Sequence, residues 1–389
     1  SSPEDRKVVQ DYLDNVLRAD DFLSSEPHRR EVIDVVLKHL HETTERLILD
    51  ASTPEERERI LFWRRAMVME IFTKEYSRLF SLKEGDEVDI PLEDENNNPI
   101  MVRYVITHHM QFCDPGRGDQ PFYIMQAADD NKKDSYAPFL VYPSTRSTTI
   151  ESVLINADVK GPGKTVFDAT KDQLQGILET LPPVRIFGYS QGGALAARAF
   201  VVFNKHISAE PRFASIVYSS PGVEKEILKE YTELKAADAP AIDNFIHFAN
   251  KADFVDKTGY LIGKVYEVDD GTLEDFGNPW KHHVGTKFFR GETRCRAVDV
   301  AAENKSKLRA VQIFMRNNIV RLPVRITNYV KPYIMKFLHG IIVDPLGDVT
   351  EEDGVAETKE GVMVERRDSA MFDFFSGTQE DEYLSGRLV

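Results

Sequence analysis

The sequence predicts an α/β fold built on a mostly parallel sheet with flanking helices, and three observations support this class. Short apolar runs of strand length alternate with helical stretches between residues 139 and 248. A glycine-containing turn, Gly188 to Gly192, joins one of these runs to a helix. Residues 1–82 carry helical patterns and precede the strands. Because short apolar strands that alternate with helices are typical of sheets with parallel members, we expect the helical region to be followed by such a sheet.

The N-terminal region, residues 1–82, is predicted to be helical. Thr53, Pro54 and Glu56 form a capping box with proline at the first helical position, so a helix should begin there. The run Ile60 to Phe80 contains no glycine or proline and repeats apolar residues at helical spacing. An earlier face with the same spacing is formed by Val32, Val36, Leu40 and Leu47.

From about residue 86 the pattern changes to strands, followed by strands and helices in alternation. The predicted strands are Glu87–Ile90, Ile100–Ile106, Phe122–Met125, Phe139–Tyr142, Val184–Phe187, Phe213–Tyr218 and Phe245–Phe248. The predicted helices among them are Phe167–Leu181 and Gln191–Phe203.

Composition excludes several classes of protein. The chain is 42% hydrophobic, enough for a sizeable core, and its net charge of -15 argues against general nucleic-acid binding. No apolar run approaches the roughly 18 residues that a membrane-spanning helix needs. Two cysteines exclude a disulfide scaffold and a cysteine-rich zinc site. They fit a reducing compartment or export without disulfides, and the sequence leaves the location otherwise unknown.

Charge and the pattern of apolar residues divide the chain into four predicted regions. After the helical region 1–82 comes a catalytic domain at 83–303, then a basic apolar segment at 304–345 and an acidic, mostly disordered tail at 346–389. Within the basic segment, residues 304–343 hold eight Lys or Arg and no acid. Two interpretations stay open for this segment: helices that cover the sheet, which is favoured, or contact with an anionic membrane surface. The sequence identifies no protein partner.

The turn Gly188-Tyr189-Ser190-Gln191-Gly192 matches G-x-S-x-G, the pattern of a nucleophile elbow. A buried-type strand precedes it, and small residues that suit a tightly packed helix follow it. In that context the serine hydroxyl projects from the end of a strand beside a helix N-terminus. Ser190 is therefore the candidate nucleophile, and the backbone N–H of Gln191 is a candidate oxyanion donor.

A serine nucleophile needs an imidazole base and a carboxylate that orients the base. In α/β-hydrolases the chain order is serine, acid, histidine. Asp253 follows a predicted strand and is the favoured acid, with Asp243 and Asp256 as alternatives. The favoured base is His283, with its neighbour His282 as an alternative, because both lie in a turn-rich stretch. Two further histidines, His206 and His247, fall in or beside predicted regular structure and are interpreted as structural.

A second oxyanion donor is expected on a loop that follows another strand. The predicted strand Phe139–Tyr142 is followed by Pro143, Ser144 and Thr145. Thr145 is the candidate, although proline and serine in this position also suit an ordinary turn.

These motifs together resemble the class 3, fungal-type triacylglycerol lipases. The matching pieces, in chain order, are the oxyanion strand and loop 139–145 with the lid-like 150–158, the elbow 188–194, the acid motif 248–255 and the histidine motif 281–286. Pro143-Ser144 replaces the usual Arg-Gly, and Tyr189 and Gln191 replace His and Leu.

The resemblance spans about residues 135–290 and implies an α/β-hydrolase fold. It also implies a Ser190–Asp253–His283 triad, with Thr145 and Gln191 as oxyanion donors, acting on a lipid or other small ester. Such a lipase or esterase requires no metal or cofactor. The alternatives are an acyltransferase with the same triad and an inert hydrolase fold that serves as a binding or effector module.

Overall fold

The computed structural model describes residues 26–76, 82–114, 118–133, 135–143, 163–210, 213–250, 253, 255, 258–269 and 294–305. Within these ranges the strands form one mixed sheet in which the order in space follows the order in the chain. The strands are Glu87–Glu93 (β1), Pro99–Asp114 (β2), Gly118–Ala127 (β3), Phe139–Tyr142 (β4), Arg185–Tyr189 (β5), Ser215–Tyr218 (β6), Phe245–Asn250 (β7), Lys264–Asp269 (β8) and Arg294–Ala297 (β9).

In the described part of the chain, two long helices precede the sheet. They are Glu26–Asp50 (α1) and Pro54–Ile71 (α2), and α2 continues into a π-helical turn at Phe72–Tyr76. The predicted cap is confirmed, since the Thr53 side chain accepts a hydrogen bond from the Glu56 amide at 3.1 Å. The Glu56 carboxylate in turn accepts from the Ser52 amide at 2.8 Å. The helix predicted to continue to Phe80 changes from an α-helical to a π-helical hydrogen-bond pattern after Ile71.

The first part of the sheet is antiparallel. Each of the strands β1 to β4 pairs with the next one along the chain, and all three pairs are antiparallel. β2 and β3 form the longest of these pairs, and their register shifts between Ile106 and His108. The predicted strands in this region are confirmed, and β2 extends well beyond the predicted Ile106. Two further strands, β8 and β9, were not predicted, although Val265 and Val268 within β8 are buried.

The second part of the sheet is parallel from β4 to β8, and β9 adds an antiparallel pair. Four of the eight described strand pairs are antiparallel, so the sheet is mixed and not mostly parallel as predicted. Among the described residues, three helices lie in the connections between the parallel strands: Lys164–Leu178 (α3), Gln191–Val202 (α4) and Lys225–Ala236 (α5). Right-handed crossovers between strands laid down in one direction place all three helices on one face. A short helix, Val300–Lys305 (α6), follows β9.

Alternate residues of the parallel strands β4 to β7 belong to two separate apolar cores. Leu140 of β4 packs with α3, α4 and α5, whereas Phe139 and Val141 pack with α1 and α2. The N-terminal helices therefore cover the face that the crossover helices leave open. The boundary at residue 82 stays a prediction, but the helices before it share one core with the strands after it.

The described helices include none that is long and apolar enough to cross a bilayer. Asn304 of α6 is tied to the sheet region by two hydrogen bonds with the backbone of Leu261, at 2.9 and 2.8 Å. The rest of the basic segment and the acidic tail, 306–389, lie outside the described residues, so both predictions about them stay predictions.

Candidate active site

Ser190 occupies a strained turn between β5 and α4. Its backbone angles are φ 54° and ψ -126°, a left-handed conformation that residues with a side chain rarely adopt. The turn is held on both sides: the Ser190 amide donates to the carbonyl of Tyr218 at 2.9 Å, and its own carbonyl accepts from Gly193 at 2.9 Å. Ser190 is 6% exposed, so its side chain lies just beneath the surface. This is the geometry that the pentapeptide predicts for a nucleophile elbow.

Close backbone approach explains the two glycines of the motif. A Cβ on Gly188 would lie 2.5 Å from the carbonyl oxygen of Gly192. A Cβ on Gly192 would overlap the carbonyl oxygens of Tyr142 and Pro143. The elbow therefore presses against the end of β4, where the predicted oxyanion loop begins.

Gln191 is the first residue of α4 and is fully buried. The first N–H groups of a helix have no acceptor within the helix and carry its positive dipole end, which suits a developing oxyanion. The Gln191 side chain points toward Gly163, whose added Cβ would lie 3.7 Å from the amide nitrogen Nε2. Gly163 precedes α3, so the side chain of Gln191 lies near the start of that helix.

Asp253 lies beyond the end of β7 and is completely buried. Its amide donates to the carbonyl of Asn250 at 3.2 Å, and its carboxylate accepts from the amide of Val255 at 2.8 Å. These two bonds fix the carboxylate close to the strand end. A buried carboxylate in this position can orient an imidazole.

The parallel register places the ends of β5, β6 and β7 at one edge of the sheet. Ser190 follows β5 and Asp253 follows β7, with β6 between them. Two strand spacings correspond to about 9.6 Å. The strands that lead to Ser190 and Asp253 therefore lie two strand spacings apart at this edge.

Three predicted site residues lie outside the described residues: Thr145, His282 and His283. The predicted lid-like stretch 150–158 and the alternative acid Asp256 lie outside them as well. Their roles stay predictions.

The described alternatives occupy structural positions. His206 ends a short 3-10 turn after α4, and its amide donates to Phe203 at 2.8 Å. His247 is buried within β7, on the face that packs against the crossover helices. Asp243 is largely exposed and lies 3.7 Å from the ammonium of Lys235. Unlike Asp253, none of these three residues follows the carboxyl end of a parallel strand.

Two serines after β6 were missed by the sequence reasoning. Ser219 has φ 44°, and Ser220 is fully buried between the elbow and the next loop. A Cβ on Gly193 would lie 2.5 Å from that of Ser220. The strand-to-turn change at Ser219-Ser220-Pro221-Gly222 is the sequence signal that could have identified this turn.

Helix α2 and its π-helical turn also reach the elbow, which the sequence did not indicate. The ammonium of Lys74 lies 5.1 Å from the ring centre of Tyr189, and the Tyr218 hydroxyl donates to the carbonyl of Ala66 at 2.6 Å. Burial raises the pKa of Tyr218, and the nearby Glu70 carboxylate raises it further. Tyr218 therefore stays protonated and acts as a hydrogen-bond donor.

Among the described residues, no cluster of three or more histidine, cysteine or acidic side chains is arranged to hold a metal ion. The sheet edge that carries Ser190 and Asp253 presents a hydroxyl, a carboxylate and the backbone N–H groups at the start of α4. These groups are suited to acyl transfer.

Comparisons with known proteins found structural neighbours alone. No family model matches the chain, and no curated protein matches it by sequence. Among solved structures, a mutant form of MDLA from Penicillium cyclopium is 16% identical, with a TM-score of 0.33 over 56% of this chain and 81% of that one. A fungal lipase is 13% identical, with the same TM-score and coverage. The mixed sheet with helices on both faces is compatible with an α/β-hydrolase fold.

Proposed function

We propose that this protein is a serine hydrolase of the α/β-hydrolase type that cleaves carboxylic esters through an acyl-enzyme on Ser190. The strained backbone of Ser190, between β5 and α4, carries the proposal. Strain of this kind costs about 1–3 kcal/mol and persists where the surrounding structure enforces it. A strand-to-helix turn with a serine in this conformation is the arrangement that exposes a nucleophile above a sheet.

In the proposed reaction the Ser190 hydroxyl attacks the ester carbonyl while His283 removes its proton. His282 is the alternative base. Asp253 holds the imidazole in the tautomer that accepts this proton and stabilises the imidazolium that results. The tetrahedral oxyanion receives hydrogen bonds from the backbone N–H of Gln191 and from Thr145. The imidazolium then protonates the departing alcohol, and water hydrolyses the acyl-enzyme by the same steps in reverse.

The buried position of Asp253 supports its assignment as the acid. Its carboxylate is fixed by the Val255 amide on the sheet edge that also carries Ser190. The substrate class follows from the sequence resemblance to class 3 lipases: a lipid or another small ester. Each step uses protein groups and water, with no part for a metal or cofactor.

Labelling with a fluorophosphonate tests the nucleophile directly, because the reagent modifies activated serines. We expect the native chain to be labelled and Ser190→Ala to remain unlabelled. Ser220→Ala is the matched control, since Ser220 is a buried serine at the same sheet edge, and its labelling should persist. Hydrolysis of p-nitrophenyl esters should fall by about 10³-fold or more in Ser190→Ala.

Parallel variants assign the other roles. Asp253→Asn and His283→Ala should each reduce kcat strongly, and His282→Ala should have a small effect. The reverse result for the two histidines would make His282 the base. Equal labelling of native chain and Ser190→Ala would favour the binding-module alternative, and ester formation with an added alcohol would favour an acyltransferase.

A further inference from the structure

A second site lies at the opposite edge of the parallel strands from Ser190. A cavity of about 60 Å³ opens between α2 and the sheet, where β4 to β7 begin. Its wall includes Phe139 and Arg185, the first residues of β4 and β5. Ser190 lies five residues further along, or about 16 Å at the rise of a strand. The cavity is therefore separate from the candidate active site.

Curvature of the sheet creates this space. Leu92 of β1 and Ile246 of β7 both line the cavity, although five strands separate β1 from β7 in the sheet order. The sheet therefore curves around α2, which contributes Phe62 and Met69 to the wall. Most of the lining is apolar, so the cavity favours a ligand with an apolar body.

Two guanidinium groups share one aromatic ring in the wall. The Cζ of Arg185 lies 4.0 Å from the ring centre of Phe213, and that of Arg65 lies 5.3 Å from the same centre. Arg185 is 2% exposed. Stacking on the ring stabilises each cation.

A buried carboxylate offsets part of this charge. Glu93 accepts from Nε of Arg65 at 3.0 Å, and it also pairs with Arg64, which is fully buried. Within the described residues, the terminal nitrogen Nη2 of Arg65 is buried and makes no hydrogen bond. A buried donor of this kind is unfavourable unless an acceptor satisfies it, so a ligand oxygen at this position would be stabilised. The wall thus presents two guanidinium groups, and with them the unsatisfied Nη2 donor of Arg65, beside apolar surface.

We propose that this cavity binds a short-chain monocarboxylate, with the carboxylate on Arg65 and Arg185 and the alkyl chain against the apolar wall. Size limits the ligand. One water needs about 10–15 Å³ of such space, so the cavity holds about four to six non-hydrogen atoms. Butyrate has this size, and a planar carboxylate matches the guanidinium fork. The site does not depend on the proposed hydrolase activity.

Isothermal titration of the full chain with butyrate tests the site. We expect saturable binding with a Kd of about 0.1–5 mM, the range for a ligand of this size. 1-Butanol, which keeps the alkyl chain without the charge, should bind at least tenfold more weakly. Inorganic phosphate should also bind at least tenfold more weakly, because it lacks the apolar body.

Two variants locate the binding. Arg65→Gln should weaken butyrate binding at least tenfold, while Arg103→Gln, which removes an exposed arginine of β2, should leave it within twofold of native. Ala214→Met adds bulk to the wall without changing charge and should also weaken binding at least tenfold. Circular dichroism checks that each variant is folded.

Three results would overturn the proposal: no saturable binding of butyrate up to 20-fold above the expected Kd range, native affinity in folded Arg65→Gln, or tighter binding of phosphate than of butyrate. Butyrate bound at the catalytic edge would be insensitive to both wall variants. Failure of this proposal would therefore leave the hydrolase assignment untouched.

Discussion

The amide of Ser190 donates a hydrogen bond to the carbonyl oxygen of Tyr218 at 2.9 Å. The hydroxyl of the same tyrosine donates to the carbonyl of Ala66 in α2 at 2.6 Å. Tyr218 thus connects the N-terminal helices to the turn that carries the candidate nucleophile. The helical region is part of the support of this turn.

Removing the Tyr218 hydroxyl tests this connection. Tyr218→Phe should lower the free energy of unfolding by about 1 kcal/mol, the net value of a typical hydrogen bond. Tyr142→Phe is the matched control, because the buried Tyr142 hydroxyl makes no hydrogen bond within the described part of the chain. That substitution should be neutral or stabilising. Urea unfolding measures both, and an equal loss in the two variants would contradict the assigned role of Tyr218.

Strain at Ser190 predicts that a less active protein will be more stable. Glycine adopts φ 54° without steric cost, so Ser190→Gly should raise the free energy of unfolding by about 1 kcal/mol after its entropy cost is subtracted. Ser190→Ala keeps the Cβ and should remain within about 0.5 kcal/mol of native. The comparison uses urea midpoints, and a glycine variant less stable than the alanine variant would argue against strain.

Crowding at Gly192 predicts a large loss for a small substitution. The added methyl of Gly192→Ala would overlap two carbonyl oxygens, so the backbone has to move, at a cost of about 3 kcal/mol or more. Gly176→Ala provides the contrast, because Gly176 lies on the exposed side of α3 with nothing within 4 Å of the new atom. It should stabilise the protein by about 0.5–1 kcal/mol. Thermal unfolding distinguishes the two, and similar Tm values would refute the crowding argument.

The buried carboxylate of Glu93 should matter more than a surface one. Glu93→Gln leaves the guanidinium of Arg64 buried without its ion pair, and breaking such a pair costs about 3–5 kcal/mol. Glu87→Gln removes an exposed partner of Arg103 and should cost less than about 1 kcal/mol. Chemical denaturation measures both. Equal losses of unfolding free energy in the two variants would contradict the larger contribution assigned to the buried pair of Glu93 and Arg64.

His41 should make stability fall in mild acid. Burial lowers its pKa, and the adjacent Arg64 guanidinium, 3.0 Å from Nδ1, lowers it further. Below the ordinary pKa of about 6.5, the unfolded chain takes up a proton that the folded chain resists. The stability contribution is therefore complete above pH 6.5 and declines as the pH falls toward the folded pKa.

His41→Asn keeps an acceptor for Arg64 but does not titrate. The loss of unfolding free energy between pH 7.5 and 5.5 should be smaller in this variant than in the native chain. Urea midpoints at the two pH values provide the measurement. An identical loss in both proteins would assign the acid sensitivity to other groups.

Local patterns predicted the parts of the fold that depend on neighbouring residues. The Thr53 cap, the strand before Ser190 and the small-residue helix after it are local, and the structure confirms their positions. β8 was missed because its alternation of polar and apolar residues is short and lies between turn-rich stretches. The contact between Lys74 and Tyr189 depends on tertiary packing between residues 115 positions apart, so no local pattern reveals it.

The candidate site likewise has features that a local sequence pattern predicts and features that depend on tertiary packing. The glycines and Ser190 form one continuous motif, and its strain follows from a strand and a helix meeting at one residue. The turn at Ser219 and Ser220 joins the site because β6 lies between β5 and β7, which is a property of strand order. The cavity lined by Arg65 and Arg185 depends on sheet curvature, and the sequence contains no local pattern for it.

Tyr218 follows its hydrogen-bond partner Ala66 by 152 residues in the chain, and this separation has a consequence for synthesis of the protein. At about 5–20 residues per second, a ribosome needs roughly 8–30 s to produce Tyr218 after Ala66. For that interval the apolar faces of α1 and α2 have emerged while β6, which supplies part of their cover, is still untranslated.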